Sequence, residues 1–146
     1  MTTIGKMAQK AVSAVSCLAE VYADDVSLNA SQIAERRGLS TALVGKLMTT
    51  LSSEGIVVGT PGRGGGFRLK NPPAELSLFD VVSLFGQVEK PMMCPLGASW
   101  CGNGPPCAMH QHILDLHEMM VTKLKEVNFE GFREMRPDVI KEEWLA

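Results

Sequence analysis

The stretch Asn-Ala-Ser-Gln-Ile-Ala-Glu-Arg-Arg-Gly-Leu-Ser, residues 29–40, constrains the architecture more than any other part of this 146-residue chain. Asn29 is placed to cap the free amides at a helix start, while Gln32 reaches back from the third helical position. Ala30, Ile33 and Ala34 supply the buried side of that helix. Gly38 stops it, because glycine takes the left-handed conformation that ends helices without steric cost. Ser40 then caps another helix, whose buried face is Leu43, Val44, Leu47, Met48 and Leu51 and which closes at Glu54-Gly55. Two helices must therefore meet across a sharp turn.

A helix precedes this pair. Ile4, Ala8, Ala11, Val15, Leu18 and Tyr22 recur at intervals of three and four, one stripe of a helix that ends near Asp24-Asp25. After the pair comes Ile56-Val57-Val58, then a tip rich in glycine, then Phe67-Arg68-Leu69, a pattern that predicts a β-hairpin over 56–70. Helix, helix, turn, helix, hairpin is the order of a winged helix-turn-helix, in which the second helix of the turn motif enters the major groove of DNA. The expected fold class is mainly α with a small β-hairpin wing. Residues 1–72 would form the DNA-binding unit, and residues 73–146 a cysteine loop with a long dimerisation helix.

Charge supports this division weakly. Residues 1–70 carry eight Lys/Arg against five Asp/Glu, whereas residues 71–146 carry six against eleven, within a net charge of -2. A basic front half suits a polyanion and an acidic back half does not. On the presumed reading helix, Ser40, Thr41, Ala42, Gly45, Lys46 and Thr49 are small or cationic, so the helix can sit deep in a groove. Lys46 can donate to phosphate or guanine, and the Thr and Ala methyls can meet thymine methyls. Gly45 costs the helix about 1 kcal/mol relative to alanine, a hint that close approach matters there. Arg63 at the wing tip suits a narrow minor groove. Lys6, Lys10, Arg36, Arg37, Arg68 and Lys70 are expected to contact phosphates, which would make binding salt-dependent.

Beyond Asn71-Pro72-Pro73, a short helix is predicted from Ser77 to Phe85, with Ser77 and Asp80 as a capping pair. A long helix is predicted from Cys107, with Met109, Ile113, Leu116, Met120, Leu124 and Val127 in a heptad-like stripe. That stripe can pack on its own domain or on a second copy, and the shortage of remaining core favours the second copy. The segment after Val127, with Phe132, Met135 and Trp144, carries no readable pattern.

Between the two helices lies Cys94-x6-Cys101-x5-Cys107-x2-His110. Nothing at the start of the chain has the layout of a secretory signal and no run approaches a membrane span, so a soluble, cytoplasmic protein without a membrane partner is expected. In a reducing compartment, clustered cysteines point to a metal or redox site rather than to disulfides. Soft thiolates select iron-sulfur clusters or zinc. Structural zinc favours short C-x2-C pairs, which are absent here, so the wider spacing favours a cluster of two or four irons, with zinc as the alternative. Cys17 reads as a small buried apolar residue, and His112 and His117 as surface or packing residues. Trp100, beside Cys101, can shield the site from water.

Ile33-Ala34-Glu35-Arg36 leading to Gly38-Leu39-Ser40, the Gly64-Gly65-Gly66-Phe67 wing, and the three cysteines before the last long helix make the chain resemble the bacterial iron-sulfur cluster regulators, the IscR and NsrR group of the Rrf-two family of winged-helix repressors. The resemblance covers most of the chain, from about Lys6 onward. It implies a homodimer that crosses over through the long helix, binds a palindromic operator in double-stranded DNA, and changes affinity with the state of its cluster. It also implies Cys94, Cys101 and Cys107 as ligands, with His110 where the IscR type places its histidine. The position where the NsrR type takes a carboxylate falls near Gln9, which favours His110. The first cysteine gap is one residue longer than is common in the family, and Thr60-Pro61-Gly62-Arg63 replaces the usual start of the wing. No nucleophile-base pair or carboxylate pair stands out, so the chain is not expected to be an enzyme. The competing readings are a winged-helix regulator with structural zinc or switching thiols, and a small redox protein.

Overall fold

The computed structural model describes residues 4–90, 94, 96 and 105–133. It is mainly helical, with one two-stranded antiparallel sheet among the described residues. Helix α1 spans Lys6–Val21 and runs into a 3-10 turn over Tyr22–Asp24, where Asp25 adopts a left-handed conformation. Ala8, Ala11, Val15 and Leu18 are buried as the stripe requires. Ala14, Ser16, Cys17 and Ala19 are buried too, so α1 is enclosed on much more than one face. It touches α2, α3, α4, α6 and the second strand, which makes it the central element. Its alanines allow this, because side chains of one carbon let neighbouring elements approach closely.

Helix α2 (Ala30–Arg37) opens on the expected capping box: the Asn29 side chain accepts from the Gln32 amide at 2.8 Å, and the Gln32 side chain accepts from the Asn29 amide at 2.9 Å. It ends at Gly38, whose φ of 63° is left-handed. Helix α3 (Thr41–Ser53) starts under the Ser40 hydroxyl and buries Val44, Leu47, Met48 and Leu51. Strands β1 (Val57–Thr60) and β2 (Gly66–Leu69) form the hairpin, with Val57 opposite Leu69 and Thr60 opposite Gly66. Helix α4 covers Leu78–Val82 on the Ser77/Asp80 capping box, ending before the predicted Phe85.

Two further contacts tie the hairpin and the chain's end into this core. Leu28 pairs with Phe67 through reciprocal amide bonds of 3.0 and 2.8 Å, so the loop before α2 acts as a third, one-residue strand of the wing. After helix α5 (His110–Glu126) the chain pairs Asn128 with Ser77 and inserts Phe129, the largest fully buried side chain among the described residues, into the cluster that also holds Ala11, Leu18, Leu47 and Val81. The Phe129 amide donates to the carbonyls of Pro73 and Leu76, and a short α6 (Glu130–Arg133) follows, with Phe132 against the Phe129 ring. The segment without a readable pattern thus contributes an anchor; Met135 and Trp144 lie outside the described residues.

Gly66 is what allows the Leu28 pairing. A Cβ there would stand 2.5 Å from the Leu28 carbonyl carbon and 2.8 Å from the Asn29 amide nitrogen, both backbone atoms that cannot swing aside, and its φ is 153°. Gly66→Ala is expected to cost about 2–3 kcal/mol and to lower the urea midpoint without changing the slope.

Candidate nucleic-acid interface and cysteine centre

The reading face of α3 is solvent-facing. Thr41, Ala42, Lys46 and Thr49 are exposed and Gly45 is half-buried. Ser40, also exposed, commits its oxygen to the helix by accepting from the Leu43 amide at 3.2 Å. The Thr49 hydroxyl donates to the Gly45 carbonyl at 2.9 Å, and the Thr50 hydroxyl to the Lys46 carbonyl at 3.5 Å. With its hydroxyl turned back onto the helix, Thr49 leaves its methyl as the group free to meet another molecule. Arg63 is exposed on the wing, between Gly62 and Gly64, both at positive φ. Lys6 and Lys10 are exposed on α1.

Two arginines expected to contact phosphates are engaged within the chain. The Arg37 Nε donates to the Ser13 carbonyl at 3.0 Å, its Nη2 to the Ser16 hydroxyl at 3.2 Å, and the same group pairs with Glu20. Arg37 therefore clamps α2 onto α1 and sets the angle at which the turn motif stands. Arg68 pairs with Asp25, joining the wing to the end of the 3-10 turn. The sequence hid both pairings because each joins residues far apart in the chain, 17 positions for Arg37 and Glu20.

Helix α5 opens at His110, one turn later than predicted. Pro105 and Pro106 lie just upstream, Met109 supplies no side-chain cap, and Cys107 to Met109 form a turn in which the Cys107 carbonyl accepts from the His110 amide at 3.0 Å. Cys107 and His110 therefore remain neighbours, through a turn rather than along a helix. Cys94 and Cys107 are free thiols, both half-buried, and His110 is half-buried as well. Cys101 and Trp100 lie outside the described residues, and among the described residues no three metal-binding side chains cluster. Free thiols at Cys94 and Cys107, with an imidazole three residues past Cys107, are donors whose chemistry fits iron-sulfur or zinc and not a hard cation. Cys17 is separate from this site. It is buried in the core, and burial pushes its thiol above the ordinary value against the pull of Arg37 and Arg36, so it holds its proton and is a poor nucleophile.

The heptad-like stripe of α5 divides between two surroundings. Ile113 and Leu124 are buried and Met120 is half-buried against the chain's own core, whereas Leu116 is 51% exposed, with Met109 and Val127 also open; Met119, outside the stripe, is 61% exposed beside Leu116. His117 is buried among the inward residues, the packing role anticipated for it. No helix among the described residues is long and apolar enough to cross a membrane.

A turn motif capped as described, a hairpin docked beside it and an outward helix face of small residues around Lys46 make the winged-helix architecture of DNA-binding transcriptional regulators. More narrowly, the chain belongs to the Rrf2 family, described as iron-dependent transcriptional regulators, which it matches over residues 4–133. It is a regulator and not an enzyme. It is 31% identical over 88 residues to an HTH-type transcriptional regulator of Aquifex aeolicus, a match covering 59% of this chain and 61% of that relative. It is 29% identical over 113 residues to the HTH-type transcriptional regulator IscR of Aliivibrio salmonicida, covering 76% of this chain and 67% of that protein. The same fold occurs in CymR, the global cysteine regulator of B. subtilis, with a TM-score of 0.75 at 17% identity over 91% of this chain and 97% of that one.

A Cβ added at Gly45 would meet nothing within 4 Å, so no packing inside the chain offsets the cost of a glycine in mid-helix. Gly45→Ala is expected to stabilise the protein by about 0.5–1 kcal/mol, read as a raised urea midpoint.

Proposed function

We propose that the protein is a cytoplasmic, homodimeric transcriptional regulator whose affinity for a palindromic operator is set by an iron-sulfur cluster held by Cys94, Cys101, Cys107 and His110. The observation that carries this reading is the turn joining Cys107 to His110 at the start of α5, the same helix that leaves Leu116 and Met119 uncovered. Ligands and subunit contact then share one helix. A two-fold pairing of α5 with its copy would cover those side chains, since such interfaces are self-complementary. Bound there, a cluster would supply a centre that gains or loses electrons and reacts with small oxidants. The chain's own residues do the rest. Thr41, Ala42, Gly45, Lys46 and Thr49 face the major groove, with Ser40 fixing the helix start. Arg63 reaches the minor groove from the wing, and Lys6 and Lys10 lie against phosphates. A change in the cysteine loop acts on the start of α5, and through α5 on the spacing of the two reading helices.

Protein reconstituted anaerobically with ferrous iron and sulfide should show visible absorbance. Its operator affinity, measured by gel shift, should differ from that of the apo protein and fall as salt rises. Equal affinity in the two forms would remove the sensor reading. Colourless protein with one zinc per chain, or affinity that follows thiol oxidation alone, would favour zinc or switching thiols. That second reading is supported by the two free, half-buried thiols and by the fold shared with a cysteine regulator.

The double substitution Leu116→Glu with Met119→Glu is expected to give a folded monomer by analytical ultracentrifugation, since both side chains leave the core untouched. Operator affinity should fall by at least about a hundredfold, because each half-site is then bound separately.

A further inference from the structure

His117 is 7% exposed in the middle of α5, and of its two ring nitrogens only one has a partner among the described residues. Nε2 lies 3.4 Å from the backbone carbonyl of Glu89, while Nδ1, fully covered, meets neither donor nor acceptor. A carbonyl only accepts, so Nε2 is the donor in this contact, and Nδ1 is left without a partner. An imidazole is a costly way to fill an apolar position, and a buried polar group that stays half-satisfied calls for a reason.

The reason lies in what Glu89 begins. Val88 is buried with Ala8, Val82 and Leu124, Lys90 closes a turn back onto Gln87, and the chain then enters the cysteine loop. The loop returns at Cys107, whose carbonyl receives the first amide of α5. Both ends of the loop therefore stand on one helix. One is at His110 and the other at His117, seven residues or about 10 Å further along the axis. The Lys125–Glu89 pair, at 4.0 Å and exposed on both sides, adds little at the second point. The His117 bond is the polar link there among the described residues.

We propose that His117 is a positioning residue for the cysteine loop: its Nε2–H holds the Glu89 carbonyl, fixing on α5 the turn over residues 87–90 from which the loop departs. The proposal rests on the reading of that loop as a cluster site. The test compares wild type with His117→Leu, which keeps bulk and loses the donor, and with His117→Gln, whose amide nitrogen reaches the Nε2 position. Each is reconstituted anaerobically with ferrous iron and sulfide, and bleaching of the visible band by EDTA is timed. His117→Leu should lose the chromophore about tenfold faster than wild type, and His117→Gln within about twofold of it. Should His117→Leu fail to fold, His117→Asn, whose amide stops short of Nε2, takes its place. Equal rates in all proteins, or glutamine no better than leucine, would overturn the proposal. Wild type that takes up no iron would end the cluster reading alone, because the tether is also read in apo protein by hydrogen exchange of residues 87–90. Those amides should exchange faster in His117→Leu than in wild type or His117→Gln, and equal exchange would exclude the tether.

Discussion

The whole structure depends on one helix being narrow. Ala8, Ala11, Ala14 and Ala19 are fully buried along α1, and around them close α2, α3, α4, α6 and β2. A larger side chain at any of these positions would push one neighbour outward, and each neighbour carries a different part of the function. α2 and α3 form the turn motif, β2 forms half of the wing, and α4 leads to the cysteine loop. Overpacking typically costs about 1–3 kcal/mol, and here it would also rotate the reading helix relative to the wing. Phe129 completes the enclosure from the far end of the chain. The acidic half is thus packed into the core of the basic half.

That enclosure also explains which parts of the fold were legible in the sequence. Signals confined to one turn of chain were readable because their physics is local: the Asn29/Gln32 box, Gly38, the Ser40 cap and the Ser77/Asp80 box each satisfy amides a few residues away. The long-range links were not. Phe129 and Phe132 stand in a short polar segment too brief for a period to mark which of them is buried, and the Leu28–Phe67 bridge gives no sign at Leu28. The α5 stripe was readable as apolar, but no periodicity says that Ile113, Met120 and Leu124 turn inward while Leu116 stays outside beside Met119, a residue the stripe did not include.

The charges follow the same division between local and distant. Eight cationic side chains in the first seventy residues look interchangeable in sequence. Folding sorts them. Arg37 and Arg68 meet Glu20 and Asp25 and become part of the scaffold, while Lys6, Lys10, Lys46 and Arg63 stay exposed. Arginine suits the scaffold role because its planar fork bonds several acceptors at once, as Arg37 does with Ser13, Ser16 and Glu20. Those four lie on α1, α3 and the wing tip, with Arg36 on α2 and Lys70 just past β2 exposed as well. A polyanion meeting the four would touch three elements whose relative placement is fixed by the buried alanines and by the Arg37 clamp.

Helix α5 joins the folded core, an uncovered apolar surface and the end of the cysteine loop. Its inward face, Ile113, His117 and Leu124, belongs to the folded chain. Its outward face, Leu116 and Met119, is uncovered, and its first turn grows out of Cys107. A rigid helix with those three attachments can pass a displacement from one to another, because packed interiors give way as units rather than bending gradually. The Glu89–His117 bond sharpens this. With the turn over residues 87–90 held at His117 and Cys107 continuous with His110, both flanks of the cysteine loop rest on α5, so a displacement of either flank bears on the same helix.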